Sequence, residues 1–178
     1  KAMSLLHSFY CWGHVGVVLI STIFFGIFCV VNWRILAILW AIIPAVNTLM
    51  FIWVPIAPLV EEGERGYTLK ELFSKKIFWV LLLMMTCSGA SEQAVSQWAS
   101  TFAEKGLGVS KTVGDLAGPM AFAAMMGAAR VFYGKYGEKI NLDRFMKGST
   151  ILCIFSYLCI SLVPNPVVGL IGCAVCGL

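Results

Sequence analysis

Glu92 stands in the middle of a long apolar segment, and Ser88, Ser96 and Ser100 repeat at four-residue intervals around it. Gln93 and Gln97 lie beside that row. On a helix these residues form a polar arc over about half the circumference. Glu92 falls roughly 15 residues, or about 22 Å, from the start of its segment. An ionisable group that deep in an apolar span costs a few kcal/mol and normally faces a bundle interior or a water-filled cavity. Two chemistries suit it. A buried carboxyl can carry a proton, since burial favours the neutral form. It can equally accept hydrogen bonds from a hydroxyl-rich solute. The rival is a helix–helix hydrogen bond with no ligand. Trp98 offers a ring for stacking on a sugar, but on an ideal helix it falls outside the arc, where packing serves as well.

Other segments carry single polar groups. Asn47 lies between Pro44 and Pro55, prolines that free carbonyls and let a membrane helix bend. It is a candidate ligand contact, with interhelical hydrogen bonding as the rival. His7 and His14 share nearly one face, and His14, the deeper, is a candidate coupling group. Asp115 is a gating candidate, or simply the partner of Lys111 one turn earlier. Arg130 can reach helix-end carbonyls or a carboxylate on another helix, as a gate latch does. No H-E-x-x-H, G-x-S-x-G or phosphate-loop motif is present, so no enzyme is expected. The seven cysteines sit in apolar stretches, and Cys173-x-x-Cys176 has no His or second pair nearby, so neither a metal nor a cofactor is expected.

The elements that must position these groups are membrane helices. Of 178 residues, 60% are apolar and 12% charged, against about 25% charged in a soluble domain. No Asp, Glu, Lys or Arg occurs from Ala2 to Trp33 or from Ile35 to Val60. A bilayer core takes about 20 apolar residues as a helix. Six apolar segments follow: Met3–Val31, Ile35–Pro58, Ile77–Ala103, Val113–Tyr133, Phe145–Val163, and one from Pro166 onward that is too short to span. They are continuous rather than alternating, which excludes a barrel. The fold class is all-α, a polytopic membrane helix bundle. The start without Met and the short sixth segment read as an incomplete piece of a larger protein.

The basic residues set an orientation. Arg65, Lys70, Lys75 and Lys76 occupy one loop, and Lys135, Lys139, Arg144 and Lys147 another, with Arg130 at its edge. Only Arg34, Lys105 and Lys111 lie on the opposite side. The 59–76 and 134–147 loops are therefore expected to be cytoplasmic in a multi-pass protein of the cell membrane. Basic residues spread over short loops give no sign of nucleic acid. Thr68-x-x-Glu71 has the form of a capping box. The short helix after it would place Leu69, Leu72 and Phe73 on the membrane surface and its lysines toward water.

Gly127-x-x-Arg130-x-x-x-Gly134-Lys135-Tyr136-Gly137 resembles the loop motif of the major facilitator superfamily as it recurs between the eighth and ninth helices. The long basic loop resembles the linker between that family's two six-helix halves. Leu5-Leu6-His7-Ser8-Phe9-Tyr10-x-x-Gly13-x-x-Gly16 resembles the fifth helix of fucose-permease-like transporters, and Glu92 to Trp98 the polar stretch of their seventh. The resemblance implies a major-facilitator-like bundle covering helices five to ten. Residues 1–58 would be the last two helices of the amino-terminal bundle, 59–76 the linker, and 77–178 the first four helices of the second bundle. It implies alternating access and proton-coupled uptake of a sugar or similar polar solute. Glu92, Gln93, Ser96, Gln97, Trp98 and Asn47 would contact the solute, and His14, Arg130 and Asp115 would couple or gate. An efflux pump of the same superfamily, or a non-transporting receptor or scaffold, is the alternative.

Overall fold

A computed structural model describes residues 2–28, 32–55 and 65–178. Among them every regular element is helical: α1 (Ala2–Gly26), α2 (Trp33–Phe51), α3 (Leu69–Phe73), α4 (Lys76–Thr101), α5 (Lys111–Asp115), α6 (Ala121–Tyr136), α7 (Leu142–Leu162) and α8 (Pro166–Val175). Phe102–Gly106 extends α4 as a π-helical turn, and a second π turn, Leu116–Met120, joins α5 to α6. Five of these stretches are long and apolar enough to cross a membrane. The six apolar segments thus appear as helices, each within a few residues of its expected start. The second helix ends at Phe51, short of the expected Pro58, and residues 29–31 of the first segment, 56–58 of the second and 59–64 of the loop lie outside the described residues.

Local chemistry sets the helix starts. Asn32, Ser110, Asn141 and Asn165 each turn a side-chain oxygen onto a backbone N–H of the first turn. Pro166 follows its cap at a position where a missing N–H costs nothing.

The chain divides into two compact units, Lys1–Cys29 with Gly89–Leu178, and Val30–Ser88. In the second, α2 carries Pro44 in its interior, and the Thr48 hydroxyl donates to the Pro44 carbonyl at 2.8 Å. The expected capping box forms. Thr68 Oγ1 accepts from the Glu71 N–H at 3.4 Å, and Glu71 Oε2 accepts from the Thr68 N–H at 2.7 Å. Trp79 Nε1 donates to the Phe73 carbonyl at 2.9 Å, and the two rings stack, so α3 is tied to the start of α4.

The Thr68 backbone N–H and then its hydroxyl hold the Glu71 carboxyl below its ordinary range. A carboxyl made more acidic by folding stabilises the turn above its unfolded pKa, and that contribution is lost as pH falls through the lowered folded value. Thr68→Ala should therefore loosen α3 at neutral pH, and acid should do the same to the natural sequence. A spin label at position 70 would report both as increased mobility. Unchanged mobility in either case would contradict the assignment.

In the first unit α1 and α6 run antiparallel. Ser4 Oγ donates to the Arg130 carbonyl at 2.7 Å, and Gly127 faces Cys11 and Trp12. The buried interior is built largely of small and medium residues: Cys11, Val95, Ala99, Phe122, Met126 and Cys173 form its core, and Gly118, Gly127 and Gly172 are buried beside it. Outward-facing positions carry the large side chains, such as Phe9, Trp98 and Ile151. That inversion is expected where the solvent is lipid: hydrocarbon accepts large apolar groups, while small residues let helices approach closely.

Candidate functional site

The site grows from the inward edge of α4. Val95 and Ala99 are buried there, and Glu92, Ser96 and Ser100 are half-buried beside them. Facing this edge, Gly118 lies so close that a Cβ would stand 3.1 Å from Ala99 Cβ, and Gly114 so close that one would stand 3.2 Å from the Ser100 carbonyl oxygen. These two glycines let the α5–α6 span reach the backbone of α4. The approach brings Asp115 to Ser100, whose hydroxyl donates to Asp115 Oδ1. Lys111 Nζ donates to the same carboxylate oxygen at 3.2 Å and lies 3.4 Å from Ser100 Oγ.

Both π turns flank this cluster, one immediately after Thr101 and one immediately after Asp115. A π turn takes one residue more than an α turn and so offsets the helix face beyond it. Pro119 lies within the second.

A cavity of about 520 Å³ opens beside the cluster. From α1 it takes His14, Val18, Ser21, Thr22 and Phe25; from the facing helices it takes Ser96, Lys111, Thr112, Asp115 and Pro119. One turn beyond Ser96 along α4, Glu92 Oε2 meets Arg130 Nη2 at 3.7 Å. The Arg130 side chain runs back along α6, with Nη2 3.5 Å from Met126 Sδ, in the direction helix geometry favours. The polar stripe Glu92–Ser96–Ser100 therefore passes along the cavity from one ionic cluster to another. A separate cavity of about 570 Å³ between α6 and α7 is lined mainly by Ala128, Ala129, Phe132, Phe145 and Leu152 and offers little polar chemistry.

Of the residues singled out by sequence, His14, Ser96 and Asp115 meet at the cavity, and Glu92 and Arg130 meet beneath it. Gln93, Gln97 and Trp98 are exposed on another face of α4, and Gln97 Nε2 donates to Gln93 Oε1 at 2.9 Å. Asn47 is an exposed side chain of α2 in the other unit. Sequence reasoning missed Ser21, Thr22 and Thr112 as lining residues. A signal existed for Ser21: it continues the seven-residue spacing of His7 and His14. It also missed the Tyr157 hydroxyl, which donates to the Ser91 carbonyl at 2.7 Å and fixes α7 beside Glu92.

The Asp115 cluster yields a further expectation. Lys111 is 65% exposed, so its ion pair contributes at most about 1 kcal/mol. Asp115→Asn should leave global stability within that margin while loosening the cavity mouth. A cysteine at position 112 should then react faster with a water-soluble maleimide than in the Asp115 background, and an equal rate would count against the tie.

Five membrane-length helices, a small-residue interior and an ionic stripe beside a partly polar cavity define a polytopic α-helical membrane protein with polar groups gathered inside its bundle. The chain belongs to the Major Facilitator Superfamily, which it matches over residues 1–178, and it is thereby a secondary transporter in general class. No curated protein and no solved structure matches it.

Proposed function

We propose that the protein takes up a sugar or a similar small polar solute together with a proton, and that the cavity between α1 and the α4–α5 region is part of the solute's path. The cavity's composition carries this reading. Hydroxyls of Ser21, Thr22, Ser96 and Thr112, with His14, face a space of about 520 Å³, and an ionic cluster lies at each end of the stripe beside it. Alternating access needs a central site that can be closed in turn from either side. Lys111–Asp115–Ser100 suits the outer closure and Arg130–Glu92 the inner one. The orientation follows from the basic loops, with 59–76 and 134–147 in the cytoplasm of a cell whose plasma membrane holds the protein. Glu92, Ser96 and His14 are the leading solute or coupling groups, while Gln93, Gln97, Trp98 and Asn47 hold secondary places.

The intact protein in proteoliposomes should accumulate solute when the exterior is made acidic. Uptake that is unchanged when the proton gradient is collapsed would overturn the coupling. Single cysteines at 21, 96 and 112 should be labelled from water, and protection of all three would favour a scaffold without a pathway.

A further inference from the structure

We propose that the solute carries a carboxylate, and that this group displaces Glu92 from the Arg130 guanidinium when the solute binds. The inference rests on the transporter reading and names its substrate class: a hydroxylated monocarboxylate, such as a sugar acid or a hydroxy acid.

The argument begins with the direction of the Arg130 side chain. A long basic side chain near the end of a membrane helix ordinarily reaches outward to water and phosphates. Arg130 instead reaches inward by a turn, to the level of Met126. What it meets there does not satisfy it. The Glu92 contact is a single N···O approach at 3.7 Å, well beyond the ~2.7–2.9 Å of a charge-assisted hydrogen bond and without the paired contacts of a fork. The Met126 sulfur is a weak acceptor. Among the described residues these are the guanidinium's only polar contacts. The side chain is 30% exposed, so water reaches part of the guanidinium but not the edge that faces Glu92.

Among the described residues no second acidic side chain contacts Arg130. Cys11, fully buried on α1, lies within electrostatic reach of both Glu92 and Arg130. From α7, Tyr157 is committed to the Ser91 carbonyl. Ser8, also buried on α1, turns its hydroxyl to the Leu5 carbonyl at 2.6 Å. An underfilled guanidinium in a membrane span is a receptor for a planar oxyanion, which it binds through two parallel N–H···O contacts.

The position suits a solute with a polar body and an acidic end. Ser96, one turn from Glu92, lines the cavity. A hydroxylated body can lie against Ser96 at the near end of the cavity while its carboxylate reaches along the stripe to Arg130, one turn away. Glu92 then loses its countercharge, and an unpaired carboxylate in that setting takes up a proton. The charges balance: one anion enters, one proton is gained by Glu92, and the net charge of the site is unchanged. Binding the solute and opening the Arg130–Glu92 contact become one event, and transport is electroneutral.

The test uses the intact protein in proteoliposomes, with glucuronate, galacturonate, gluconate and lactate as acid probes and glucose and galactose as uncharged ones. One or more acids should enter under a pH gradient at zero membrane potential and be insensitive to an imposed potassium diffusion potential. In detergent, acid binding should be accompanied by uptake of about one proton, as one carboxylate replaces another. Arg130→Gln should weaken acid binding roughly tenfold to a hundredfold, and Arg130→Lys, which keeps the charge but not the fork, should restore part of it. Should the arginine variants fold poorly, Glu92→Gln decides: it should bind the acid without proton uptake. Entry of uncharged sugars alone, with a response to the diffusion potential, would overturn the carboxylate proposal and leave the transporter reading intact. Absence of saturable binding for all four acids would also overturn it. Proton-independent movement of every solute tested would remove the coupled-transporter reading as well.

Discussion

Arg130→Gln is expected to destabilise the intact protein by about 1–2 kcal/mol, between the values for exposed and fully buried ion pairs. The intermediate value applies because Arg130 and Glu92 keep 30% and 25% of their side-chain surface exposed. Glu92→Gln is expected to cost less, and the asymmetry has a physical source. Arg130 lies six residues from the end of α6 at Tyr136, on a side chain long enough to swing outward to water when its partner is removed. Glu92 has a short side chain, is half-buried and sits in the interior of α4. Left alone, it is too short to reach bulk water and lacks a countercharge. The double variant Arg130→Gln/Glu92→Gln should recover most of the loss, since two neutral amides can bond to each other. Unfolding of the four proteins in detergent gives the coupling energy directly. A double variant as unstable as the sum of the singles would show that the pair contributes nothing, and would weaken the carboxylate-exchange proposal too.

Gly127→Leu is expected to separate α1 from α6 and abolish uptake. A Cβ at this position would stand 3.2 Å from both Cys11 Cβ and Trp12 Cε2, and leucine adds three further carbons beyond it. Overpacking a close-packed interface costs about 1–3 kcal/mol and sometimes more. The neighbouring Cys11 is fully buried, so the interface has little room to yield. The consequence extends to function because the same approach sets the spacing between His14 and the Asp115 side of the cavity. Gly16→Leu is the matched control. Nothing lies within 4 Å of a Cβ there, and leucine is the better helix former by about 0.6–0.8 kcal/mol, so stability should hold or rise. The melting temperatures of the two variants measure the contrast. Equal behaviour would mean that the α1–α6 approach is not tight.

Much of the helical architecture was legible in the sequence because hydrophobic length is a one-dimensional property. A run without charges, such as Met3 to Gly26, has one stable form in a bilayer, since lipid gives the backbone no hydrogen-bond partners. The Thr68–Glu71 box was legible for a similar reason: its hydrogen bonds close within one turn. The π turns were not. Nothing in Phe102–Gly106 marks an extra residue in the turn, and such turns answer to the packing around them rather than to local propensity.

The polar helix was half legible. The four-residue row Ser88, Glu92, Ser96 and Ser100 was read from spacing alone; the last three do share the inward edge of α4, whereas Ser88 is exposed. Gln93 and Gln97 joined them in the sequence reading because a polar arc has no marked centre. Helix periodicity fixes which residues are neighbours on a cylinder, but which part of the cylinder turns inward is decided by what packs on it. Here Gly114 and Gly118 allow contact only along the Ala99 and Ser100 line, and so leave Gln93, Gln97 and Trp98 exposed.

The sequence also established that an ionisable group at Glu92 needed a partner or a cavity, because its burial cost depends only on depth. It could not choose that partner. Arg130 is 38 residues away, on a helix whose distance from α4 is set by the absent side chains of two glycines and whose partner α1 is admitted by a third, Gly127. Ionic pairing at that range is a property of helix packing. Only the tertiary structure joined Glu92 to Arg130, left that contact at 3.7 Å, and placed it one turn from the cavity-lining Ser96.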